Sequence, residues 1–75
     1  MKKMFCRLAV LMAEKDPKLS QIRLAEETGL GGTTVYRLFH NKFDRVDRNT
    51  IEVLCRYFDK DIGDLFVMRS SSEGD

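Results

Sequence analysis

Cysteine, histidine, proline and net charge are all scarce in this chain, and each scarcity removes a class of structure or function. There are two cysteines, Cys6 and Cys55, one histidine, His40, and one proline, Pro17. Two cysteines are too few for a disulfide framework, and neither lies in a Cys-x-x-Cys pair. Nothing in the spacing supplies the four ligands of a structural zinc site. Both thiols read as small buried apolar groups in a reducing compartment. Long apolar runs are missing too. The opening MKKMF soon meets Arg7, and Glu14, Lys15 and Asp16 break the next apolar stretch, so neither a signal peptide nor a membrane span is expected. A cytoplasmic protein without a membrane partner is the expectation.

Lysine and arginine number 13 against 12 acidic residues, for a net charge of +1 over 75 residues. That length allows one small domain, which buries only about 60% of its unfolded surface. With 43% hydrophobic and 33% charged residues, a folded domain is expected over a disordered chain. Any affinity for nucleic acid must come from where the charges sit, because their sum offers none.

There is no internal repeat and no sustained period-2 alternation, so helices are expected and strands are not. Met4, Phe5, Leu8, Leu11 and Met12 form one helical stripe, predicting a first helix over 2–15 that Asp16-Pro17 ends. Ser20 is placed to cap a second helix over 21–28, stopped by Gly29. A third runs over 32–40. Asp47 caps a fourth over 48–58, striped by Ile51, Leu54, Cys55 and Phe58. Asp61 opens a last turn carrying Ile62, Leu65 and Phe66. The fold class expected is all-α: a compact bundle of four to five short helices over residues 1–68, with 69–75 as a fraying polar tail.

The stretch that carries chemistry is QIRLAEETGLGGTTVYRLFH, residues 21–40. Two helices joined around a glycine make a helix-turn-helix. Ala25 is small where the helices cross, and Gly29 supplies the positive φ of a tight turn. Leu24, Leu30, Val35 and Leu38 clamp the pair, which leaves Gly32, Thr33, Tyr36 and Arg37 on the outward face of the second helix.

These residues resemble the Cro/repressor-type (XRE-like) helix-turn-helix family. Its Gln-x-x-Leu-Ala-x-x-x-Gly-Leu pattern stands here as Gln21, Leu24, Ala25, Gly29 and Leu30, with Val35 and Leu38 at the next apolar positions. Residues 4–66 are covered, the flanking helices included. The resemblance implies a lambda-repressor-like domain that binds double-stranded DNA, usually as a homodimer on a palindromic operator, with helix 32–40 in the major groove. By position it assigns base reading to Gly32, Thr33, Tyr36 and Arg37. Phosphate contact falls to Gln21, Thr34, His40, Asn41, Lys42 and Arg45. No catalytic residue, metal or cofactor is implied.

Two departures stand out. Relatives commonly carry a polar reader such as glutamine where Gly31-Gly32 stands, and the Asp16-Pro17-Lys18 turn is longer than many use. Each assigned residue also has a plainer reading. Arg37, Lys42, Arg45 and Arg48 are ordinary solvated charges on that view, diluted by Asp44 and Asp47. Tyr36 packs over Thr33 or His40, and Thr33 and Thr34 satisfy helix-start amides. His40 is a surface or cap residue. Tyr57, Phe66, Val67 and Met68 are core if buried and a dimer surface if exposed.

A repressor is the leading expectation. The alternatives are an antitoxin that represses its own operon and binds a protein partner, and an interaction module that keeps the fold without reading DNA. An enzyme is not expected: the single histidine has no nucleophile in context, and GLGGTT lacks the Lys-Ser/Thr ending of a phosphate-binding loop. The near-neutral total hides a division. Residues 1–18 sum to +3, 19–30 to −1, 31–48 to +2 and 49–75 to −3. The acidic end belongs away from DNA, and non-specific affinity should be modest.

Overall fold

The computed structural model describes residues 2–70. In chain order it holds β1 (Lys2–Cys6), α1 (Leu8–Lys15), α2 (Gln21–Thr28), α3 (Gly32–Phe39), α4 (Arg48–Phe58), α5 (Ile62–Leu65) and β2 (Phe66–Ser70). The all-α expectation needs correcting. The first helix begins at Leu8, and residues 2–6 form a strand paired antiparallel to β2, Lys2 with Ser70 through Cys6 with Phe66. Leu8, Leu11 and Met12 keep their buried helical stripe, whereas Met4 is exposed and Phe5 half-buried on the ribbon. Arg69 and Ser70, expected to fray, lie in β2. The rest of the expected tail, 71–75, lies outside the described residues.

The strand forms because β2, distant in sequence, offers it a partner along all five residues. β2 reads FVMRS, with Phe and Val favouring extended backbone, and Arg7 donates its amide to the Leu65 carbonyl at 2.6 Å. Five residues on each side are too few to show a period of two.

The remaining helices stand where the sequence places them. Ser20 caps α2, its hydroxyl oxygen accepting from the Arg23 amide at 3.0 Å. Asp47 precedes α4 with extended backbone, and its carboxylate takes the Thr50 hydroxyl. No helix among the described residues exceeds 11 residues, and such lengths are marginal in isolation, so packing must hold them. The core does this evenly: Leu8, Leu24, Leu38, Leu54 and Leu65, from five successive helices, are each almost wholly buried, with Val35 beside Leu38. Truncating any one to alanine costs on the order of 2–5 kcal/mol. α4 and the β ribbon thus close over the α1–α3 trihelix, leaving the outward face of α3 to solvent.

Two helices end on non-glycine residues in the left-handed region. Asn41 (φ 58) follows α3 and Asp59 (φ 55) follows α4. Each sets up a doubly bonded C-terminal turn, Lys42 N to Arg37 O (2.8 Å) with Asn41 N to Leu38 O (3.3 Å), and Lys60 N to Cys55 O (2.9 Å) with Asp59 N to Arg56 O (3.3 Å). The last carbonyls of both helices are satisfied this way.

Candidate nucleic-acid interface

The turn between α2 and α3 is held by backbone conformation and one hydroxyl. Gly29 has φ 78, and its amide reaches the Ala25 carbonyl. A Cβ there would meet no atom within 4 Å, so the positive φ alone selects glycine. The Thr28 hydroxyl donates to the Leu24 carbonyl at 2.7 Å and accepts from the Leu30 amide at 3.3 Å, stapling both sides of the turn. Leu24, Val35 and Leu38 are buried and Ala25 and Leu30 pack against them. The orientation of α3 is therefore fixed from behind.

That orientation turns Gly32, Thr33, Tyr36 and Arg37 all to the exposed side. The Tyr36 ring lies 4.4 Å from His40 at 50°, and His40 in turn meets the edge of Phe39 at 5.0 Å. Tyr36 remains 47% exposed, so it packs sideways on His40 while keeping a free face. No side chain caps the first turn of α3. Thr33 and Thr34 do not satisfy helix-start amides there, and those donors point outward at the end where the helix dipole is positive.

Beside α3, a cleft of about 640 Å³ is lined by Thr34, Arg37, Lys42 and Arg45, together with the apolar Phe43 and Val46 and the acidic Asp44 and Asp47. Phe43 is pinned by an edge contact to Phe66 at 6.0 Å, which anchors the loop after α3 to the ribbon. Ion pairs take up two arginines, one on α2 and one on α4. Arg23 is taken up by Glu27 at 2.8 Å and Arg48 by Glu52 at 2.9 Å. Among the described residues, Arg37, Lys42 and Arg45 make no ion pair. The carboxylate of Asp47 is occupied by Thr50, whose hydroxyl bond holds its pKa below the ordinary value.

The remaining assigned residues are dispersed. Gln21 is half-buried at the start of α2 and lines a separate apolar groove with Met12, Leu19, Ile22 and Phe39. Asn41 turns its side-chain amide onto the backbone of Cys6, Oδ1 accepting from the Cys6 amide at 2.6 Å and Nδ2 donating to its carbonyl at 3.2 Å. The residue sequence reasoning missed is thus Asn41 as a latch. The available signal was asparagine's tolerance of positive φ just past a helix. Burial raises the Cys6 thiol to about 11, the neighbouring Leu8 amide opposing the rise, so it is inert as a nucleophile at neutral pH.

The model of the Cro/C1-type helix-turn-helix DNA-binding domain matches residues 7–70. The chain belongs to that family. No curated protein and no solved structure matches it. The matched span runs past the trihelix to the last residue of β2, so the ribbon strand that closes the fold belongs to the DNA-binding domain. No helix among the described residues is long and apolar enough to cross a membrane, and no group of three or more His, Cys, Asp or Glu among them is arranged to hold a metal ion.

Proposed function

We propose that this Cro/C1-type domain is a sequence-specific transcriptional regulator, a repressor in its simplest form, which binds a palindromic operator as a homodimer. Helix α3 enters the major groove in this reading. Gly32, Thr33, Tyr36 and Arg37 face base edges, while Thr34, His40, Lys42 and Arg45 follow the phosphates, joined by Gln21 from α2 and the Asn41 turn. The observation that carries it is the convergence of three cations along α3 and its exit. Arg37, Lys42 and Arg45 line one cleft beside α3, and none of the three is drawn into an ion pair among the described residues. A phosphate backbone along that cleft would engage all three.

Selection of binding sites from random duplexes with the purified protein tests the reading. A two-fold symmetric site is expected, its half-sites about 34–36 Å apart. Equal affinity for the selected site and random duplex at physiological salt overturns it.

One observation favours a second reading, an interaction module that keeps the fold without DNA readout. Gly31 and Gly32 stand at the start of α3 with no positive φ, so the backbone does not demand glycine, and neither offers a side chain to a base. Gel retardation against total genomic fragments separates the two. No retained fragment at low salt favours the module.

A further inference from the structure

The two strands of the β ribbon, KKMFC and FVMRS, carry three cations and no carboxylate. Lys2, Lys3 and Arg69 are exposed, and among the described residues none of them enters an ion pair. Their placement matters more than their number. The register sets Lys3 directly opposite Arg69, which puts the two Cβ atoms about 4.5–5.5 Å apart on one face of the pair. Like charges facing each other across a ladder cost stability. On that same face, two residues along β1, the Phe5 ring centroid lies 5.3 Å from the Arg69 guanidinium. The ring keeps Arg69 on the face it shares with Lys3.

A lysine on an exposed strand guards against pairing with other chains, but that task does not require a second cation opposite it. An anion between the two heads turns the repulsion into attraction, and a guanidinium beside an ammonium suits a phosphate. The position of the ribbon says where such a phosphate lies. Asn41, which follows α3, bonds both backbone groups of Cys6, and Lys42 comes next in the chain. Lys3 stands three residues back along the extended strand, about 10 Å from that bond. Each strand of duplex DNA carries about one phosphate per 3.4 Å of axis, so the pair sits within a few phosphates of the α3 exit.

We propose that Lys3 and Arg69 clamp one backbone phosphate of duplex DNA, beyond the stretch met by α3 and its exit. The clamp rests on the DNA-binding reading of the proposed function and adds to it an anchor that reads no base. It gives the ribbon, which closes the fold, a part in holding DNA. The repulsion present in the free protein is relieved on binding, so the pair trades folding stability for affinity.

Charge reversal separates the two effects. In Lys3→Glu the pair becomes attractive, and the thermal midpoint should rise by about 2–6 °C. Affinity for operator and random duplex should fall together, roughly tenfold at physiological salt, with a salt slope flatter by about one to two units. Arg69→Glu should do the same from the other strand. The double variant, Lys3→Glu with Arg69→Glu, restores the repulsion. Its midpoint should return toward that of the wild type while its affinity falls further. Were the pair only structural, binding would follow stability and recover in the double variant. Fluorescence anisotropy of labelled duplexes at several salt concentrations, with thermal melts of the same preparations, reads every quantity. Single variants that bind random duplex within about twofold of the wild type overturn the clamp. So does a double variant that regains affinity. The operator reading fails on a different result, a wild type that binds selected and random duplex equally while Lys3→Glu still weakens both. A wild type that retains no duplex at low salt overturns both.

Discussion

The side-chain amide of Asn41 hydrogen-bonds both backbone groups of Cys6, its oxygen at 2.6 Å from the amide and its nitrogen at 3.2 Å from the carbonyl. Asn41 is also the positive-φ residue that ends the reading helix. One residue therefore terminates α3 and ties its end to the outer edge of β1. The exit of α3, where Lys42 and Arg45 sit, is held in place through the ribbon.

Replacing Asn41 separates its two tasks. Asn41→Gly keeps the left-handed turn and loses both side-chain bonds, for an expected cost of about 1–3 kcal/mol. Asn41→Ala adds the penalty of a Cβ at positive φ, about 1 kcal/mol more. Urea denaturation measures both, and faster hydrogen exchange of the Cys6 amide should accompany either. If both variants keep wild-type stability but bind DNA less well, Asn41 acts on phosphate and the latch is immaterial.

Asp59 holds the same backbone conformation after α4 without a side-chain partner among the described residues, and it places a negative charge at a helix C-terminus. Both features are unfavourable. Asp59→Gly should therefore stabilise the domain by about 0.5–1 kcal/mol, read as a raised thermal midpoint. A lowered midpoint would mean that Asp59 makes a contact in solution that offsets its strain.

How far the fold could be read in advance depended on the range of the interactions. Leu24, Val35 and Leu38 announce the α2–α3 pair because a 3.6-residue period is visible within one turn. Gly29 announces the turn because only its φ is unusual. The ribbon joins residues at least 60 positions apart, and no local window holds that information. Met4 and Phe5 extended the α1 stripe by spacing alone, which concealed the strand. At the site, exposure of Thr33, Tyr36 and Arg37 came from the same periodicity. The neutralisation of Arg23 and Arg48, and the freedom of Arg37, Lys42 and Arg45, required side-chain geometry.

Tyr57, Glu27 and Arg23 form a surface network linking α4 to α2. The Tyr57 hydroxyl donates to Glu27. That bond first, and Arg23 second, lowers the Glu27 pKa from 4.5. The same bond raises Tyr57 above its ordinary 10.0. A depressed carboxylate contributes stability above its unfolded pKa and loses it as pH falls through the folded value. A raised phenol contributes below its unfolded pKa and loses it as pH rises. The stability difference between wild type and Tyr57→Phe should thus be level between about pH 5 and 9 and shrink at both extremes. Thermal midpoints across pH measure it. A difference that stays constant from about pH 3 to 11 would show the bond to be absent in solution.

Arg37 and Lys42 line one cleft but should fail differently. Arg37→Ala is expected to cost about 1–3 kcal/mol on the selected operator and to relax preference at one base position. Lys42→Ala should weaken all duplexes alike and flatten the salt slope by about one unit. Titrations of operator and random duplex at several salt concentrations separate the outcomes. If Arg37→Ala behaves as Lys42→Ala does, Arg37 meets phosphate only, and specificity must come from Tyr36 and Thr33.

Gly32 gives the sharpest division between folding and binding. It opens α3 without positive φ, and a Cβ built on it meets nothing within 4 Å. The isolated domain therefore has no use for glycine here, and Gly32→Ala should leave stability unchanged or raise it by up to about 0.5–1 kcal/mol. A DNA backbone approaching the uncapped first turn of α3 would meet the added methyl group. In that case the variant folds at least as well and binds operator less tightly, a reversal of sign that no loss of structure can imitate. Denaturation and operator titration on the same preparation measure both. Unchanged operator affinity would place the start of α3 away from the DNA and confine readout to Tyr36 and Arg37, one turn further along.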